Sequence, residues 1–151
     1  LESDRAKQRG TIADYIINFR APGENTVPID AKNQVSRNQW IDWAEAAWFD
    51  IRETDTLNVA AGRGEDDTKH ICPLQLDVIE RAMELWSNPG DTVLSPFAGI
   101  GSEGYVAVLN GRRFFGVELK ASYWKQAVAN LRMAESEAAR GDLFSMKEVV
   151  A

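Results

Sequence analysis

Residues 91–102 read DTVLSPFAGIGS, and the rest of the chain organises around them. Asp91 to Pro96 is a short run of strand-forming residues behind the turn signal Asn88-Pro89-Gly90, so it predicts a short buried strand. The glycine-bearing loop Phe97 to Gly101 follows. A helix is then expected from about Ser102 to Leu109, closed by Asn110-Gly111. Arg113 to Leu119 (RFFGVEL) predicts the next strand. Upstream, Pro73 can occupy the first turn of a helix, and Leu74, Leu76, Val78, Ile79, Ala82, Met83 and Leu85-Trp86 continue it at helical spacing. Downstream, Ala121 to Arg140 predicts a long helix with Tyr123, Trp124, Ala127, Val128, Leu131 and Ala134 on one face, ended by Gly141. Helix–strand–loop–helix–strand–helix is the order of an α/β fold with a parallel sheet and right-handed crossovers.

The region before residue 73 is less patterned. Thr11 to Arg20 (TIADYIINFR) is rich in β-branched and aromatic residues and predicts a strand ending at Pro22-Gly23. Glu24 to Val35 is polar and irregular. Asn38 to Trp48 carries apolar residues at 40, 41, 44, 47 and 48, the spacing of a short amphipathic helix, and Ala61 to Lys69 has a loop composition. No internal repeat or low-complexity tract occurs, and one domain over residues 1–151 accounts for the pattern.

Composition narrows the class. With 44% hydrophobic and 26% charged residues, the 151-residue chain has the balance of a globular domain, and no apolar run approaches the roughly 20 residues of a membrane span. Cys72 is the single cysteine, so no internal disulfide can form and a reducing cytoplasmic setting is expected. His70 is the single histidine, which excludes a zinc site of several His and Cys ligands. A net charge of −6 and a pI near 4.8 argue against gripping nucleic acid by charge alone, although a groove can be locally basic. The chain opens on Leu1 rather than Met, with a polar stretch to Gly10, so it is expected to be cut from something longer.

The loop after the first strand carries the chemistry. Ser95-Pro-Phe-Ala-Gly99-Ile-Gly101-Ser102 lies at the carboxyl end of a predicted parallel strand, where open α/β sheets bind ligands. Its glycines permit close backbone approach, and the free amides of the helix starting near Ser102 favour a carboxylate or phosphate. Glu118, 17 residues beyond Gly101, ends the next strand and can accept hydrogen bonds from both hydroxyls of a ribose. Together these features predict a site for an adenosine-containing cofactor. Gly99 to Gly104 also matches the dinucleotide pattern G-x-G-x-x-G, which keeps a dinucleotide-binding oxidoreductase as an alternative. Against it stand the intervening Pro96-Phe97 and the 33 residues left after Glu118, too few for a second nucleotide-binding half.

At these residues the chain resembles the DNA amino-methyltransferases that act on adenine N6 or cytosine N4. SPFAGIGS (95–102) resembles their motif I, Asp-Pro-Phe-x-Gly-x-Gly-Thr, with Ser95 in place of Asp and Ser102 in place of Thr. KHICPLQ (69–75) is similar to part of their motif X, and GVELKASY (116–123) to motif II. The order X, I, II is that of the permuted class in which the catalytic block comes first. WFDIRETDTLN (48–58) further resembles phage and prophage members, and Tyr15 to Gly23 resembles the strand after their catalytic motif. The resemblance implies a Rossmann-like, three-layer, mostly parallel fold that is incomplete here, and S-adenosyl-L-methionine as cofactor. It places His70, Cys72, Pro73, Ser95, Pro96, Phe97, Ala98, Gly99, Gly101, Ser102 and Glu118 at the cofactor, with Glu118 on the ribose. Residues 69–140 are then the cofactor-binding half, and residues 1–68 a strand, loops and a target-recognition segment. DNA is the implied partner, through the complete protein, in a restriction-modification setting within a bacterial or phage-infected cell. A homodimer stays open.

One part of the family pattern is missing. An exocyclic amine has its lone pair delocalised into the ring, and in the resembled enzymes an Asp/Asn/Ser-Pro-Pro-aromatic segment accepts hydrogen bonds from it and stacks on the flipped base. No Pro-Pro pair exists in this sequence, so no catalytic residue is assigned. The expectation is a C-terminal fragment or half of a split enzyme, inactive alone; the alternative is a non-catalytic interaction module. Cys72-Pro73 reverses the Pro-Cys of cytosine C5 enzymes and reads as an inert thiol. Trp40, Trp43 and Trp48 read as core or interface residues rather than a DNA-stacking platform, and Arg112-Arg113 as a solvated pair.

Overall fold

The computed structural model describes residues 14–30, 34–57 and 73–148. Within them lie α1 (Arg37–Trp43), α2 (Leu76–Trp86), β1 (Thr92–Ser95), α3 (Ser102–Leu109), β2 (Arg113–Gly116) and α4 (Ala121–Glu148). β1 and β2 pair in parallel, Thr92 opposite Arg113 through Ser95 opposite Gly116. A parallel pair needs a crossover, and α3 supplies it.

Alternation along the strands positions the core. Val93 and Phe114 turn towards the helices and pack on the buried cluster Ile79, Met83, Val106 and Ala107. Leu94 and Phe115, one residue on, face the other way and are each 63% exposed. The expected buried strand is therefore covered on one side only. The expected α/β arrangement is present in partial form: the described residues supply a two-stranded parallel sheet and one helical layer of the three.

α3 is the hub of that layer, and two glycines let its neighbours close on it. Gly101 has φ +83°, a left-handed conformation that L side chains resist, and a Cβ there would lie 3.1 Å from the Ala127 Cβ of α4. A Cβ on Gly104 would fall 2.5 Å from Phe114 Cδ1. The last glycine of the G-x-G-x-x-G pattern is thus occupied in helix–strand packing. Asn130 of α4, buried, donates from Nδ2 to the Ile100 carbonyl at 2.8 Å and ties the loop to that helix.

Several boundaries differ from expectation. α2 begins at Leu76, not at Pro73; Gln75 is its N-cap without a side-chain bond, and the Leu76 N–H donates instead to the distant Asp55 carbonyl at 2.8 Å. α1 is shorter than 38–48, because Ser36 and Gln39 form a reciprocal capping box that starts it and the chain turns after Trp43. β2 ends at Gly116, and Val117 leaves the ladder to bridge the Ser95 carbonyl and the Ala98 N–H, at 2.9 Å each. Gly141 does not end α4, which runs on to Glu148; one interior glycine costs only about 1 kcal/mol. The expected strand over Thr11 to Arg20 is not formed in residues 14–20, which are irregular, with Tyr15 and Phe19 each 85% exposed. β-propensity without a pairing partner makes no strand.

Candidate functional site

β1 ends on Ser95, which is 8% exposed, and the loop that follows turns over the carboxyl end of the sheet. Gly99, with φ +54°, donates its N–H to Glu118 Oε2 at 2.9 Å, and Glu118 Oε1 accepts from the Lys120 N–H at 2.7 Å. One carboxylate therefore braces the glycine loop and the turn into α4 together. Each oxygen keeps a second lone pair for an external donor. A Cβ added to Gly99 would meet nothing within 4 Å, so the loop backbone there faces open space.

That space is a cavity of about 230 Å³. Of the sequence-predicted residues, Pro73, Phe97, Ala98, Gly99 and Ser102 line it. Ser95, Pro96 and Gly101 shape the loop without lining the cavity, and Glu118 holds its edge through Gly99. His70 and Cys72 lie outside the described residues. Sequence reasoning missed Leu74, Ile100 and Glu103, which also line it. Glu103 lies in the first turn of α3, directly after Ser102. Burial pushes its carboxyl above the usual range, partly offset by its own backbone N–H. Phe97 is 87% exposed, an uncovered aromatic ring beside the cavity.

Residues 3–129 match the DNA methylase family. The chain belongs to that family. Membership of a DNA methylase family weighs against the dinucleotide-oxidoreductase reading of the glycine loop. Among the relatives of this methylase chain, the type II methyltransferase M.BglI of Bacillus subtilis is 29% identical over 111 residues, 73% of this chain and 28% of that protein. The DNA adenine methyltransferase YhdJ of Escherichia coli K12 is 42% identical over 57 residues, 38% of this chain and 19% of YhdJ. The type II methyltransferase M1.MboII of Moraxella bovis is 45% identical over 58 residues, 38% of this chain and 22% of that protein. The chain thus spans between a fifth and three-tenths of these relatives. A selenomethionine structure of TTHA0409 from Thermus thermophilus, described as a DNA modification methylase, superposes with TM-score 0.57 at 26% identity, covering 83% of this chain and 52% of that one. A second structure of the same protein, complexed with S-adenosyl-L-methionine, also gives TM-score 0.57, at 24% identity.

Two polar hubs outside the cavity hold the methylase chain together. Arg112, 4% exposed, pairs with Glu84 at 2.9 Å, donates to the Asn110 and Ser87 carbonyls at 2.7 and 3.0 Å, and reaches Gln34 Oε1. It is neither solvated nor free for phosphate, contrary to the sequence expectation, whereas Arg113 is exposed as expected. Arg81, 7% exposed, makes two bonds to Asp50 at 3.0 and 2.6 Å, while its guanidinium lies 5.6 Å from the Trp43 ring and 5.2 Å from Trp48. Trp43 and Trp48 are thus packing residues around a buried cation. Trp40, 52% exposed, takes no part.

Proposed function

We propose that this chain is the cofactor-binding half of a site-specific DNA methyltransferase that methylates an exocyclic amine, adenine N6 or cytosine N4, with S-adenosyl-L-methionine as donor. The observation that carries the reading is the Glu118 carboxylate bonded to the Gly99 amide beside an open cradle. The residues present fit that cofactor. Glu118 has lone pairs left for two ribose hydroxyls, Gly99 leaves room for close backbone approach, and exposed Phe97 can cover a flat purine. When bound, the cofactor supplies an electrophilic methyl group on a sulfonium. The residues of this chain bind and orient it; among the described residues we assign none to accept hydrogen bonds from the target amine. We assign that task to an Asp-Pro-Pro-Tyr-like segment outside these 151 residues, in the permuted order with the catalytic block first, as in phage-related relatives. Residues 1–68 then include a target-recognition segment. The proposed setting is restriction-modification in the cytoplasm of a bacterial or phage-infected cell, with homodimerisation an open arm of the proposal.

Calorimetry of the purified chain with S-adenosylmethionine, S-adenosylhomocysteine and NAD tests the cofactor. Heat from NAD alone overturns the reading, and no ligand at all points to a non-catalytic module. Glu118→Gln is expected to weaken cofactor binding by about 1–3 kcal/mol, the range for a charge-assisted hydrogen bond. Incubation with radiolabelled S-adenosylmethionine and mixed-sequence DNA tests the division of labour. Label transfer by this chain alone sinks the claim that the amine-polarising group lies elsewhere.

A further inference from the structure

Seven acidic side chains among the described residues are half-buried, and six of them are satisfied within the chain. Asp55 and Asp77 lie against Arg52, Glu84 pairs with Arg112, and Asp91 accepts from the Asn88 N–H. Glu118 accepts from two amides and Glu137 from the Tyr105 hydroxyl. Glu103 is the seventh. Among the described residues it has no cation and no donor beyond its own backbone N–H, and among them it is the one charged side chain lining the cavity beside the glycine loop. Its other flank borders a second, apolar groove of about 330 Å³ between α2 and β1, lined by Leu74, Val78 and Val93 among others. The carboxylate is thus set in an apolar ridge where burial opposes its charge, and among the described residues only its own backbone N–H and the start of α3 offset that cost. Such a group is poised for a donor that arrives with a ligand.

The chemistry of that donor follows from what the rest of the site does. The Gly99–Glu118 brace serves the adenosine end of the cofactor, so the ligand's other end, an amino acid with an ammonium and a carboxylate, needs a complement of its own. Ser95 offers no charge, and it lies below the loop rather than in the cavity wall. We infer that Glu103 is the acidic partner of the ammonium at the amino-acid end of the bound cofactor, an assignment that rests on the methyl-donor reading above. The Glu103 carboxylate at the start of α3 then receives the cation, while the open amides of the same turn are left to the ligand carboxylate.

Calorimetry of Glu103→Gln against three probes tests it: S-adenosylmethionine, S-adenosylhomocysteine and 5′-methylthioadenosine, which keeps the adenosine and lacks the amino-acid end. The substitution keeps the shape and removes a poorly placed charge, and a thermal melt checks that the variant is folded. The expected result is about tenfold weaker binding of the first two probes and unchanged binding of the third. Equal weakening of all three, or of none, overturns the assignment. Weakening of S-adenosylmethionine well beyond S-adenosylhomocysteine moves the interaction to the sulfonium and overturns it as well. Failure of the unmodified chain to bind any probe removes the methyl-donor reading itself, and this assignment with it.

Discussion

Phe114 and Phe19 are the same residue type with opposite fates. Phe114 fills the space over Gly104 and joins the cluster of Ile79, Met83, Val106 and Ala107. Phe19 stands 85% exposed in a stretch without regular structure. The difference is one of partners. Residues 73–140 meet one another through apolar faces at regular spacing, each helix or strand burying the next. The described residues 14–30 and 34–57 contribute two buried apolar side chains, Val35 and Leu57, and are held on the packed half by polar pins. The Asn88 side chain accepts from the Asp30 N–H at 2.9 Å and donates to the Pro28 carbonyl at 3.2 Å; Arg112 reaches Gln34, and Arg81 grips Asp50. A packed half and a pinned half fail in different ways.

The largest effect is expected where the two meet. Arg112→Met leaves Glu84 buried without its cation and cuts the link to Gln34, and should cost about 3–5 kcal/mol in urea unfolding, the range for breaking one side of a buried pair. Hydrogen exchange at the Asp30 amide should quicken in the same variant. Loss of stability with no change at Asp30 would show that the pins act independently. Gly104→Val confines the damage to the packed half. Its side chain overlaps Phe114, so about 1–3 kcal/mol should be lost, while Trp43 and Trp48 fluorescence around Arg81 stays native until global unfolding. An early fluorescence change would mean that the halves are more tightly coupled than their contacts suggest.

Gly99→Val separates function from packing. The added side chain meets open space, so stability should fall by only about 1–2 kcal/mol for the left-handed backbone, whereas calorimetric heat from S-adenosylmethionine should vanish. Retained binding would place the cofactor elsewhere. The smallest effects are pH-dependent and opposite in sign. The Arg81 guanidinium holds the Asp50 carboxyl below the usual carboxylate range. Its contribution is present above the ordinary carboxylate value and lost as pH falls through the lowered one, so Asp50→Asn should lower the Tm at neutral pH and converge with the parent in acid. Burial raises Glu103, whose folded form therefore favours the proton. Its contribution is present below the ordinary value and lost as pH rises through the raised one. Glu103→Gln should raise the Tm at neutral pH, with the gain gone in acid; a lower Tm at neutral pH would reveal an unrecognised partner.

From sequence alone, the order of elements from residue 73 onward, the span of α3 at Ser102–Leu109 and the choice of the glycine loop and Glu118 as candidate site residues were legible; the bond between Gly99 and Glu118 was not. Each is a local signal: a period, a turn, or an acid a fixed distance beyond a loop. Tertiary structure decided the rest. Thr11 to Arg20 had the composition of a strand, yet its described part pairs with nothing, because propensity cannot supply a partner. Arg112 had the look of a solvated charge, and its burial depends on Gln34 converging with Glu84 and Ser87 at the end of α2, two separate stretches of chain. Glu103 carried no motif that marked it as a cavity residue; its place depends on how α3 sits against β1 and α2, a long-range packing outcome that no local run of residues encodes.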